Sequence, residues 1–188
     1  GQAGDDVIAG RGGSDTIDGG AGIDEIDYST DAAAGGESGV TVDLSSGTAT
    51  DGFGDSDTFT NIENVTGTDQ DDQLTGSDGD NVIVAGSGDD SVLGGAGDDT
   101  VLGQAGNDYL VGGLGSDSLD GGEGIDEIDY STDAAAGGEA GVTVDLSSGT
   151  ATDGFGDSDT LSNIENVTAT DEADHLTGSD DANIILGE

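Results

Sequence analysis

Aspartates recur in this chain at a spacing that suits a hard cation. Asp6, Asp15 and Asp24 lie nine residues apart, and so do Asp90, Asp99, Asp108, Asp117 and Asp126. Asn81 keeps the same register, and Asp72 stands nine residues before it. Each of the eight aspartates has glycine two residues before it and an aliphatic residue two residues after it. Carboxylates stacked in register repel one another unless a cation lies between them. An all-oxygen donor set suits calcium, which takes six to eight oxygen ligands in flexible geometry, better than magnesium with its tight octahedron. Transition metals would want nitrogen or sulfur; the chain has no cysteine and one histidine, His175. Several calcium ions are therefore the expected cofactor.

Other chemistry finds little support. The sequence has no lysine, no serine–histidine pair with a third member and no phosphate-cradling loop, so no catalytic residue is assigned and the segment is not expected to be an enzyme. With 43 acidic residues and one arginine, the formal charge is -42. Nucleic acid and anionic membrane are poor partners, because both need cationic side chains at the contact. No apolar run approaches the roughly 20 residues of a membrane-spanning helix. Neighbouring repeats of the same chain are the expected protein contact, and nothing in the sequence supports a carbohydrate or other cell-surface ligand.

The elements that must position these aspartates follow from the repeat. Blocks of nine run from Gly1 to Asp27 and from Gly76 to Asp129. Position four is always glycine, position six is aspartate or Asn81, and position eight is Ile, Val or Leu. The first six residues read as a glycine turn and the last three as a short strand. This predicts a coil of 18 residues per turn, in which blocks alternate between two parallel sheets and block n stacks on block n+2. Position-eight side chains would then meet in a thin core. One aliphatic side chain per nine residues buries too little to offset the entropy of ordering them. Such a chain is expected to stay unfolded until its ion arrives.

A longer period encloses the short one. Residues 19–83 return as 121–185, with 54 of 65 positions identical. The 102-residue shift is eight nonapeptides plus 30 residues, so the expected layout is one continuous roll over 1–188. Repeats would occupy 1–27, 58–129 and 160–188, and inserts 28–57 and 130–159. The chain reads as an excerpt from a longer tandem array. Within the insert, Val40–Leu44 and Gly47–Thr50 read as strands around a Ser-Ser-Gly turn, forming either a projecting hairpin or a longer rung.

GGAGDDTVL, GGLGSDSLD and GGEGIDEID resemble the GGxGxDxUx nonapeptide of the RTX (repeats-in-toxin, hemolysin-type) family, a calcium-binding β-helix repeat. The resemblance implies an all-β fold, a right-handed parallel β-roll, with calcium between successive turns. It also implies type I secretion and folding outside the cell. Carried over position by position, it makes Asp6, Asp15, Asp24, Asp90, Asp99, Asp108, Asp117 and Asp126 side-chain ligands, with Asp72 and Asn81 in weaker sites. The expected pairs are Asp6 with Asp24, Asp90 with Asp108, Asp99 with Asp117, and Asp108 with Asp126. Asp15 has Ala33, not a carboxylate, 18 residues on, so its site is expected to be incomplete.

Main-chain carbonyls are expected from positions one and three: Gly1, Ala3, Gly19, Ala21, Ala85, Ser87, Gly94, Ala96, Gly103, Ala105, Gly112, Leu114, Gly121 and Glu123. Asp55, Asp57, Asp157, Asp159 and Asp174 are further candidates. Acidic residues outside position six, such as Asp98, read as solvated surface. The expected function is a calcium-dependent folding and spacer module of a secreted protein. The alternatives are an adhesive array of a cell-surface or biofilm protein, and a non-catalytic appendage of a secreted protease, lipase or alginate-modifying enzyme.

Overall fold

The computed structural model describes residues 1–133, 137–138 and 140–187. Alternation of one inward aliphatic residue with outward polar neighbours gives strands in nearly every block. They are β1 (Val7–Ile8), β2 (Thr16–Asp18), β3 (Glu25–Asp27), β4 (Thr41–Asp43), β5 (Thr48–Thr50), β6 (Ser56–Thr60), β7 (Asn64–Thr66) and β8 (Gln73–Thr75). A central run follows: β9 (Val82–Ser87), β10 (Ser91–Ala96), β11 (Thr100–Ala105), β12 (Tyr109–Leu114) and β13 (Ser118–Glu123). The last are β14 (Glu127–Asp129), β15 (Thr143–Asp145), β16 (Thr150–Thr152), β17 (Ser158–Ser162), β18 (Asn166–Thr168), β19 (His175–Thr177) and β20 (Ile184–Leu186). A short helix, α1 (Asp31–Ala34), lies near the start of the first insert.

The strands form two ten-stranded sheets. Block n pairs in parallel with block n+2, as in Val92↔Leu110 and Val101↔Leu119. The molecule is thus an all-β, parallel β-roll. Position-eight residues Ile26, Ile83, Val92, Val101, Leu110, Leu119 and Ile128 are almost completely buried between the sheets.

Two features differ from the expectation. In the five most regular strands, β9 to β13, the strand runs six residues and takes in positions one to three of the following block. Pairing continues across Gly95↔Gly113 and Ala96↔Leu114, so the turn contracts to positions four to six. Glycines with no side chain to clash let two main chains run side by side there.

The inserts are neither projecting hairpins nor long rungs. β4, β5 and β6 form an antiparallel meander lying in the plane of one sheet, between β2 and β8. β15, β16 and β17 do the same in the other sheet, between β13 and β19. Corresponding residues of the two copies lie on opposite sheets, because an odd number of half-coils separates β2 from β13.

Candidate metal centre

Each regular turn brings its position-six carboxylate beneath the preceding coil. The Asp72 N–H donates to Asp90 Oδ1 at 2.8 Å, Asp90 N–H to Asp108 Oδ1 at 2.9 Å, and Asp108 N–H to Asp126 Oδ1 at 2.8 Å. These residues lead into one sheet. Those leading into the other repeat the pattern: Asn81 N–H to Asp99 Oδ1 at 2.8 Å and Asp99 N–H to Asp117 Oδ1 at 2.9 Å. Asp6 N–H meets Asp24 Oδ1 at 2.8 Å. Every expected pair is therefore brought together, one above the other.

In Asp90, Asp99, Asp108, Asp117, Asp126 and Asp24 only Oδ1 accepts. Oδ2 of Asp15, Asp24, Asp90, Asp99, Asp108, Asp117 and Asp126 is buried and has no hydrogen-bond partner among the described residues. An unpaired buried carboxylate oxygen is costly. Beside Oδ2 of Asp24, Asp99, Asp108 and Asp126 stands a main-chain carbonyl. A Cβ on Gly94 would stand 2.5 Å from the Gly112 carbonyl oxygen and 2.6 Å from Asp99 Oδ2. The same two groups, a position-one carbonyl and Oδ2, converge on Gly103, and at Gly19 and Gly121 the carbonyl beside Oδ2 is that of Asn61 or Asn163. Ala85 alone among the nine blocks carries a methyl at this position. Of the position-three carbonyls, Ala21, Ala105, Leu114 and Glu123 accept the position-four N–H of the neighbouring coil at 2.8–2.9 Å. Each keeps a second lone pair. Among the described residues no three His, Cys, Asp or Glu side chains converge as a metal-binding group. The donor set is therefore paired carboxylates with main-chain oxygens, which fits calcium.

Burial raises the carboxyls of Asp90, Asp99, Asp108, Asp117 and Asp126 from their ordinary range, against the lowering effect of the N–H each accepts. Asp90 and Asp117 are pushed up to about 7, and Asp99 and Asp126 to about 6, with neighbouring carboxylates adding to the rise. Asp108 is raised for the same leading reason.

A second kind of rung satisfies itself. Where position two is Thr or Ser, its N–H or hydroxyl serves the position-six side chain. Thr68 gives its N–H to Asp72 Oδ2 at 2.6 Å and its hydroxyl to Asp72 Oδ1 at 2.9 Å. Ser77 N–H binds Asn81 Oδ1 at 2.7 Å, while Asn81 Nδ2 donates to the Glu63 carbonyl at 2.5 Å. The Thr170 hydroxyl binds Asp174 Oδ1 at 2.8 Å. Asp72 and Asn81 therefore lack the free oxygen that marks the regular rungs, whereas in the half-buried Asp174 both bonds fall on Oδ1.

The inserts extend the ladder. Asp15 N–H donates to Asp57 Oδ1 at 2.9 Å, and Asp117 N–H to Asp159 Oδ1 at 3.0 Å. Asp15 is thus not left without a carboxylate; it lies 42 residues away rather than 18, because the meander supplies the next strand. Asp57 and Asp159 are buried, whereas Asp55 and Asp157 stay exposed. Glu63 and Glu165 accept the N–H groups of Asp24 and Asp126 at 2.8 and 2.9 Å. Sequence reasoning missed both, although each occupies position six of a degenerate block in register. Position five also forms an outer ladder: Asp80 Oδ1 accepts Asp98 N–H and Asp98 Oδ1 accepts Ser116 N–H, each at 2.9 Å. Asp98 is exposed, yet it is structural.

A family model for the RTX calcium-binding nonapeptide repeat matches residues 1–26, 66–101, 93–128 and 159–188, more than half of the chain. The chain belongs to the RTX calcium-binding repeat family. The matched segments omit most of both inserts. No curated protein matches the chain. An RTX repeat is a non-catalytic structural module and binds calcium. No helix among the described residues is long and apolar enough to cross a membrane.

Proposed function

We propose that residues 1–188 act as one continuous calcium-loaded roll, a folding and spacer module of a secreted protein. The reading rests on one observation above all: a buried Oδ2 without a partner in regular rung after regular rung. Asp15, Asp24, Asp90, Asp99, Asp108, Asp117 and Asp126 are the side-chain ligands, with Asp6 at the exposed first coil. Position-one carbonyls such as Gly94, Gly112 and Gly121 complete the set. When bound, calcium supplies two positive charges and a preference for six to eight oxygens. The residues do the rest: the Oδ1 hydrogen bonds fix the tilt of Asp24, Asp90, Asp99, Asp108, Asp117 and Asp126, and the glycines keep the cradle free of side chains.

Secretion follows from the same physics. A chain of net charge -42 is held open by self-repulsion inside a cell poor in free calcium and collapses outside, where its counter-ion is abundant. The tandem 102-residue unit favours a second reading, an adhesive or structural array of a cell-surface protein. Small-angle scattering tests the folding role. Without calcium the radius of gyration should approach about 46 Å, as for an unfolded chain of this length, and it should fall sharply on calcium addition. An equally compact chain in chelator would defeat the proposal.

A further inference from the structure

We propose that each insert holds a hard-cation site of its own, off the position-six ladder, on Asp31 and Asp51 in the first copy and on Asp133 and Asp153 in the second. The first copy shows the parts. Asp31 and Asp51 are 0% and 1% exposed. Asp31 Oδ2 accepts the Gly52 N–H at 3.3 Å. Asp51 Oδ1 accepts the N–H groups of Phe53 and Asp55 at 3.0 and 2.8 Å. Asp31 Oδ1 and Asp51 Oδ2 are left buried with no partner. The Tyr28 hydroxyl stands beside them and donates to Asp57 Oδ2 at 3.2 Å. Burial, and then the nearby charges of Asp57, Asp31 and Asp51, raise it far above the ordinary phenol range.

The second copy rebuilds the arrangement on the opposite sheet. Asp133 Oδ2 accepts Gly154 N–H at 2.9 Å. Asp153 Oδ1 accepts the N–H groups of Phe155, Gly156 and Asp157 at 3.0, 2.7 and 2.8 Å. Asp153 Oδ2 is buried without a partner. The Tyr130 hydroxyl donates to Asp159 Oδ2 at 2.8 Å. Buried like charges that face one another need a counter-charge or a proton. The chain has no lysine, and Gly113 stands in the second copy where the first has Arg11. A divalent cation on Asp31 Oδ1 and Asp51 Oδ2 in the first copy, and on Asp153 Oδ2 beside Asp133 in the second, completed by main-chain carbonyls of the insert turn, meets the need. This pair lies outside the nonapeptide register, so the site stands or falls apart from the ladder.

The full chain tests this in two readouts. Equilibrium dialysis with calcium counts ions for the parent and for Asp51→Asn/Asp153→Asn. The variant should bind two fewer ions per chain, while Asp108→Asn lowers the count through the ladder alone. An unchanged count in a folded Asp51→Asn/Asp153→Asn variant overturns the site. Terbium luminescence excited through tyrosine is the second readout, since Tyr28 and Tyr130 adjoin the proposed ions. It decides the matter if the aspartate variant does not fold in saturating calcium. Tyr109 stays beside the ladder ligand Asp108, so Tyr28→Phe/Tyr130→Phe should lose the share of the emission that the insert ions give; full emission from that variant also overturns the proposal.

Discussion

Asp108 belongs to two couplings at once. Its Oδ1 takes the Asp90 N–H and its own N–H goes to Asp126, while its Oδ2 stays free. Asp72 sits in the same register but is fully served by Thr68 and the Val40 N–H. Asp108→Asn should therefore raise the calcium midpoint of folding about tenfold, equivalent to about 1.4 kcal/mol. Asp72→Asn should move it far less, and a calcium titration of both variants checks the contrast. Protons compete for the same oxygens. With Asp90 and Asp117 raised to about 7 in the folded state, the protonated fold is favoured at low pH. That contribution is lost as pH rises from about 4 through 7. The calcium-free chain should gain β structure on acidification, and the calcium midpoint should rise as pH falls from 7.5 to 5.5. Circular dichroism at several pH values reads both. The aspartate register was legible residue by residue. The partnership of Asp15 with Asp57 was not, because a 42-residue interval carries no local signal.

At the scale of elements, the period-two pattern and the glycine turns identified the strands, and position eight identified the core. Leu110 is fully buried between the sheets. Leu110→Ala should cost about 2–5 kcal/mol, measured by denaturant unfolding in saturating calcium. Strand length was harder to read, because Gly-Gly at positions one and two looks like a turn and pairs as a strand. Position two carries a conformational demand that two residues meet at a cost. Arg11 and Gln104 hold φ at 62° and 81°, whereas Gly95 and Gly113 do so freely at 117° and 105°. A side chain in that region costs on the order of 1–2 kcal/mol. Gln104→Gly should stabilise the calcium-loaded chain by about 1 kcal/mol after the added unfolded-state entropy is subtracted, seen as a higher denaturant midpoint. The insert meander illustrates the limit of sequence reading. Val40–Leu44 announces a strand and the turn beside it supplies one neighbour, β5, but the other, β8, is set by the coil.

Across the whole molecule the two inserts compensate one another. Each adds a meander to one sheet only, and the 102-residue unit places the next on the other sheet, so both sheets reach ten strands. The duplication was visible in the sequence; its alternation required counting half-coils through an insert whose path the sequence left open. What unites the roll is charge. A thin aliphatic core and two ladders of carboxylates cannot hold together on their own account at neutral pH, so folding and calcium binding should be one event. The direct measurement is far-ultraviolet circular dichroism of the 188-residue chain during a calcium titration at pH 7.5, reversed with chelator. The account predicts a disordered spectrum without calcium, a cooperative rise of β signal with it, and loss of that signal on chelation. A β spectrum that is the same in calcium and in chelator would contradict it.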